Sequence, residues 1–351
     1  MTKCPFIYNE ENSAWVIEGL EEAAYVLNSD SFRKPKQDEF KHGTLMSPSF
    51  FLALELTPEN EHNRIRREFA LAFSPHRINK IEEEILMPTA SFFVKEIGDS
   101  ISIDTIESEY IQLYCDKVFK GILGFDEGFS NEILAIYSVS EKYFKNDGPD
   151  SPHGKAALRM VIEKLADYCL LKKNDLNELS FISYMQNNGA VSVDELVYYI
   201  LPFLEMIHLK IHVELPLELI KHLSALPKNT RGNLINNAKD LNLAVEEATR
   251  LMKPRRKKGP YISRVPELDI KINNQLIRKG ERVVLKIVES GLDERIFENP
   301  EVFNPWRVNV DKHLAFGSGI HRCLGKSLVK SVASCAAIQL FKRYPDFKIV
   351  V

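Results

Sequence analysis

Apolar residues recur at three- and four-residue spacing along most of the chain, the period that gives a helix one buried face. This spacing predicts helices over 21–27, 62–72, 78–97, 110–123, 156–171, 194–223, 233–252 and 324–343. Strand patterns are fewer. Residues 270–277 alternate apolar and polar positions around an Asn273-Asn274 turn, and 282–288 is a β-branched run after Gly280. Proline and glycine gather at 148–154 and 259–266, but neither cluster is long enough to act as a linker between domains. The pattern predicts a mainly α protein with a small β region, folded as a single domain over 1–351.

Composition narrows the partners. With 351 residues, 44% hydrophobic and 27% charged, the chain has the apolar material for a sizeable core. A formal net charge of −3 gives no reason to expect nucleic acid or an anionic membrane. The opening residues MTKCPFIYNEENSAW contain no basic segment followed by an apolar one, so no signal peptide is expected. The most apolar stretch, 196–220, is interrupted by Glu205, His208, Lys210, His212 and Glu214, which suits a buried helix better than a membrane span. A cytoplasmic protein is the expectation. Five cysteines, Cys4, Cys115, Cys169, Cys323 and Cys335, include no CxxC pair and point to reduced thiols rather than a disulfide framework.

Cys323 stands apart because of its neighbours. Residues 316–325 read FGSGIHRCLG and run directly into a long helical pattern. Backbone N–H groups of a glycine-rich turn can approach a sulfur closely, and a following helix presents its positive end, so a thiolate is favoured there. A lone cysteine in such a turn would otherwise be a small buried residue. The spacing Phe-x-x-Gly-x-x-x-Cys-x-Gly, filled by Phe316, Gly319, Cys323 and Gly325, resembles the haem-binding signature of the cytochromes P450. Gly317 belongs to the same turn.

That resemblance extends from about Trp15 to the C-terminus and gives other residues a meaning. Glu247 and Arg250, at i and i+3, would alone be a solvated intrahelical pair. They are similar to the family's Glu-x-x-Arg, which joins a later arginine, here Arg307, in a buried ionic triad. His62 and Arg66, at i and i+4, match a family segment that contacts a haem propionate, and would otherwise belong to a basic surface stripe. Arg264 and His321 match two further propionate partners. The implied cofactor is haem b, with Cys323 as the iron ligand. The implied fold is the family's own, with a short N-terminus.

The chain also departs from the family. Members carry an acid and an alcohol in the long helix over the haem, yet no Ser or Thr lies between Ser192 and Ser224. On a continuous helix, Glu205, His208 and His212 share one face, and Lys210, Glu214, Glu218 and Lys221 lie nearly opposite. His208 and His212 are candidate proton carriers, or else packing or surface histidines. Pro202 and Pro216 predict kinks. Further on, Arg255, Arg256, Lys257 and Lys258 form a dense positive run. It suits a solvated loop, an acidic electron-transfer partner, or an anionic or carrier-bound substrate. Tyr261 and Ile262 are the candidate substrate contacts.

Taken with the resemblance, these residues imply a haem-thiolate monooxygenase that oxidises a small organic molecule in specialised metabolism. Ferredoxin and ferredoxin reductase are the implied electron donors, and proton delivery is non-standard. Two alternatives follow from the missing alcohol: a peroxide-driven or non-monooxygenase enzyme such as a coupling or rearrangement catalyst, and a non-catalytic haem- or ligand-binding accessory protein.

Overall fold

Among the described residues the strand-patterned segments pair in a small sheet and a separate hairpin, and most of the remainder is helix. A computed structural model describes residues 6–10, 13–36, 59–98, 101–148, 150–189, 191–253 and 262–348. Its strands in chain order are β1 (Phe6–Asn9), β2 (Ala14–Ile17), β3 (Phe32–Arg33), β4 (Ile262–Pro266), β5 (Ile270–Ile272), β6 (Gln275–Ile277) and β7 (Arg282–Leu285). The helices are α1 (Leu20–Asn28), α2 (Glu59–Ala72), α3 (Pro75–Ile81), α4 (Met87–Glu96), α5 (Gln112–Leu123), α6 (Glu127–Asp147) and α7 (Pro152–Leu171). They continue as α8 (Phe181–Asn188), α9 (Val193–His208), α10 (Ile211–Ala225), α11 (Lys228–Asn236), α12 (Ala238–Leu251) and α13 (Lys326–Arg343). The chain divides into two units, Met1–Leu45 with Glu218–Lys326, and Met46–Leu217 with Ser327–Val351.

The first unit is built on a sheet of strand order β1-β2-β7-β4-β3, in which only β2 and β7 run parallel. β5 and β6 form the expected hairpin, with Asn273 and Asn274 at φ 45° and 66°, a conformation asparagine tolerates well. Leu20, Ala23, Val26 and Leu27 of α1 bury one helical face in a cluster with Ile17, Val283, Leu285 and Phe297. The predicted helix over 233–252 is two, α11 and α12, separated at Asn237. The Asn237 side chain caps α12 by accepting from the N–H groups of Lys239 and Asp240.

In the second unit the longest helix, α6, had no predicted counterpart. Its buried face consists of Ser130, Ile133, Tyr137, Ser140 and Phe144, so two serines interrupt the apolar stripe that pattern reading relies on. Ser140 Oγ donates to the Gly154 carbonyl of α7 at 3.1 Å, and a Cβ on Gly154 would lie 2.7 Å from the Phe144 ring. Small residues here let two backbones approach closely. Single π-helical segments, Glu82–Leu86 and Ile106–Ile111, lead into α4 and α5.

The predicted helix over 194–223 is broken, and at neither proline. Pro202 and Pro216 lie inside α9 and α10, while the chain turns at Leu209 and Lys210. Lys210 adopts φ 57°, a left-handed conformation that costs a non-glycine residue roughly 1–2 kcal/mol. Compensation comes from α5. Lys210 Nζ donates to Asp116 Oδ2 at 2.8 Å, and His212 Nε2 lies 2.8 Å from Asp116 Oδ1. No single helix among the described residues is long and apolar enough to cross a membrane; α9 and α10 pass together only as a pair bent by 48°.

Candidate active site

Residues 316–325 form a tight loop in the first unit. The Cys323 N–H donates to the Phe316 carbonyl at 2.8 Å, the Arg322 N–H to the Gly319 carbonyl at 3.1 Å, and the Gly317 N–H to the Leu314 carbonyl at 2.7 Å. Gly317 and Gly319 both sit at φ 68°. A Cβ at Gly319 would stand 2.6 Å from the Leu27 carbonyl oxygen, so the loop approaches the end of α1 as only glycine permits. Ser318 Oγ completes that seam by donating to Asn28 Oδ1 at 3.1 Å. A Cβ at Gly325 would meet the Cys323 sulfur at 4.0 Å and, its chain neighbours aside, no other atom as near.

Among the described cysteines Cys323 alone is exposed. Burial pushes the thiols of Cys115, Cys169 and Cys335 up, that of Cys169 to about 12, which keeps them protonated and inert. Cys323 instead precedes a helix N-terminus, since α13 begins three residues later, and free N–H groups there favour negative charge.

Arg264, on β4 of the same unit, is a buried cation. It is 7% exposed, and its guanidinium donates to the neighbouring Ser263 carbonyl at 2.9 Å. Among the described residues it has no carboxylate partner, and burial pushes its pKa down to about 10. A buried cation without a counter-charge costs several kcal/mol unless an anion arrives.

Glu247, Arg250 and Arg307 meet in one buried network. Arg250 Nη2 and Nε donate to Glu247 Oε1 and Oε2 at 2.7 and 2.8 Å, and Arg307 Nε donates to the same oxygens at 3.0 and 3.2 Å. The remaining donors are used on the segment 291–302: Arg250 Nη1 reaches the Gly291 and Pro300 carbonyls, and Arg307 reaches those of Glu298, Asn299 and Val302. Burial works to raise the Glu247 carboxyl, but hydrogen bonds from Arg250, Asn304 and Arg307 outweigh it and hold it below the usual range.

Comparison with known proteins bears on the same segment. The family model for cytochrome P450 matches residues 227–345. The chain is 24% identical over 352 residues to a cytochrome P450 BJ-1 homolog of Sinorhizobium fredii, covering 97% of this chain and 84% of that protein. It is 25% identical over 307 residues to the polyketide biosynthesis cytochrome P450 PksS of Bacillus subtilis, covering 83% and 70%. Among solved structures, that of P450BioI in complex with an acyl carrier protein ligated to hexadec-9Z-enoic acid matches with a TM-score of 0.76 at 21% identity, over 97% of this chain and 88% of that one. The chain belongs to the cytochrome P450 family.

The cofactor of a cytochrome P450 is haem b, and the first unit fits it. The exposed thiol of Cys323 would serve as a ligand to the haem iron, and Arg264 would pair with a carboxylate of the porphyrin. His321, half-buried in the same loop, is the second candidate for that role. Ile262, a candidate substrate contact, is half-buried on β4 opposite Leu285. Tyr261 and the basic residues 255–258 lie outside the described residues.

The remaining candidates belong to the second unit. His62 and Arg66 lie on α2, Arg66 half-buried; the His62 side chain is outside the described residues. Glu205 and His208 stay together on α9, where the buried Tyr137 hydroxyl donates to the Glu205 carboxylate and the His208 ring lies edge-on to Tyr137 at 5.7 Å. His212 does not share their face, because the break at Leu209 and Lys210 intervenes. Its ring is buried, with Nδ1 3.2 Å from the Met206 carbonyl and Nε2 on Asp116.

Three site residues escaped sequence reading. Glu246, His313 and Lys326 form a second network around the Cys323 loop, with His313 Nε2 and Lys326 Nζ each 2.8 Å from the Glu246 carboxylate. The available signal was the adjacent Glu246-Glu247 pair, one carboxylate more than the triad requires.

Proposed function

We propose that this cytochrome P450 is a bacterial-type monooxygenase that oxidises a small organic molecule in specialised metabolism. The observation that carries the proposal is Cys323, an exposed thiol bounded by glycines and set ahead of α13, in one unit with an Arg264 that lacks a carboxylate. Haem b, when bound, supplies the one-electron and dioxygen chemistry. The chain's role is to ligate through Cys323, to neutralise porphyrin carboxylates through Arg264 and His321, with His62 and Arg66 as further candidates, and to move protons. The whole of 1–351 is taken as one catalytic domain, with Ile262 and Tyr261 toward substrate.

Its relatives support the substrate class. PksS is by name a polyketide biosynthesis enzyme, and P450BioI was solved holding an acylated carrier protein. The basic run 255–258 gives this chain a means of attracting an acidic carrier or an anionic substrate. Electrons come from a ferredoxin and its reductase. Proton delivery is non-standard, since α9 and α10 up to Leu223 contain no hydroxyl side chain apart from tyrosine. His208, half-buried beside Tyr137 and Glu205, is the preferred carrier over His212, whose two nitrogens face a carboxylate and a carbonyl.

The missing alcohol also favours a second possibility, peroxide-driven oxidation, because peroxide brings an oxygen–oxygen bond that is already reduced. Spectral titration of the haem-loaded protein with a compound library identifies ligands, and turnover of the best ligand decides between donors. Product formed with NADPH, reductase and ferredoxin but not with peroxide supports the monooxygenase. The converse supports the peroxide enzyme, and binding without product under either condition leaves an accessory ligand-binding protein.

A further inference from the structure

Two adjacent glutamates on α12 point about 100° apart around the helix axis and so serve different networks. Glu247 gathers the two arginines of the triad. Glu246, 7% exposed, accepts from His313 Nε2 at Oε2 and from Lys326 Nζ at Oε1, both at 2.8 Å. His313 precedes Phe316 by three residues, and Lys326 follows Cys323 by three. One carboxylate thus ties down both ends of the loop that presents the sulfur.

The tie is directional. His313 Nδ1 accepts the Ala315 N–H at 3.2 Å, which leaves the proton on Nε2, aimed at Glu246. The Phe316 ring lies 5.4 Å from Lys326 Nζ and 6.2 Å from the His313 ring, so the two tethers also bracket that side chain. The Phe316 carbonyl in turn accepts the Cys323 N–H. Displacing either end therefore moves the backbone that carries the sulfur.

Resting on the assignment of Cys323 as haem ligand, we infer that Glu246 is a positioning residue for the thiolate, acting through His313 and Lys326. Its role differs from that of Glu247, whose partners fix the segment 291–302 and not the cysteine loop. Within the network the Glu246 carboxylate faces the Lys326 ammonium and an imidazole nitrogen, so it is not buried without a counter-charge.

The test uses haem-loaded protein, reduced and exposed to carbon monoxide, with the reduction potential measured alongside. Wild type is expected to give the red-shifted Soret band from which the family takes its name. Glu246→Gln should shift the ratio of that band to the shorter-wavelength band by about tenfold, the equivalent of one charge-assisted hydrogen bond. His313→Ala and Lys326→Met should each produce a fraction of the effect, and His313→Gln, which keeps a donor, should restore most of it. Adding His313→Ala to Glu246→Gln should bring little further change, because both remove the same tie. Variants that lose thermal stability but keep the wild-type band ratio and potential would overturn the inference and leave Glu246 a packing residue. A wild type without the red-shifted band would instead overturn the haem-thiolate assignment itself.

Discussion

A buried charge must find its opposite, and the arginines of this chain do so in different ways. Arg250 and Arg307 share Glu247, so Glu247→Gln leaves two buried guanidinium groups short of a counter-charge. The expected loss is about 3–5 kcal/mol in urea unfolding, with little folded protein at ordinary temperature. Arg264 is the reverse case. Arg264→Leu removes an uncompensated buried cation, so haem-free protein should gain about 1–3 kcal/mol while haem is released more readily. Opposite signs in the two measurements mark a residue waiting for an anion; losses in both would mean Arg264 serves the fold alone.

Asp116 yields a pH dependence. Burial works to raise its carboxyl, but hydrogen bonds from His212 and Lys210 prevail and hold it below the usual carboxylate range. A depressed folded value stabilises the native state above the unfolded pKa of about 3.9, and that contribution fades as pH falls through the folded value. Asp116→Asn should therefore cost about 1–3 kcal/mol at pH 7. The gap to wild type should narrow below about pH 4 in unfolding curves measured across pH. A gap that stays constant into acid would mean that Asp116 does not hold the helix break as an ion.

Among elements, the cysteine loop is the least forgiving. Gly319→Ala would meet the Leu27 carbonyl at 2.6 Å in a left-handed conformation, so the loop must move. A loss of at least about 2 kcal/mol is expected, with weakened haem retention as the readout. The loop was legible in the sequence because its glycines and cysteine are contiguous, and the hairpin at Asn273-Asn274 because its turn residues are local. What stayed illegible lay in distant pairings. Ser130 and Ser140 hide the buried face of α6. The break after His208 has a lysine where a turn residue would be looked for, held by an aspartate 94 positions earlier in the chain. Glu246 finds His313 67 positions away, and no local pattern announces that contact. Candidate ligands set by a motif were readable, whereas the residues that orient them depend on tertiary structure.

At the scale of the whole molecule, haem held through Cys323, as proposed, would belong to the folded state. A ligand that binds only native protein stabilises it by mass action, about 2.7 kcal/mol at a hundredfold excess over its dissociation constant. Haem-loaded protein should therefore melt well above haem-free protein. The most direct check on the central claim is the carbon monoxide difference spectrum of the reduced, haem-loaded protein, wild type beside Cys323→Ala. Ligation by Cys323 predicts the red-shifted Soret band in wild type and its complete absence in the variant. The same band persisting without Cys323, or a wild-type spectrum of imidazole-ligated iron, would contradict it.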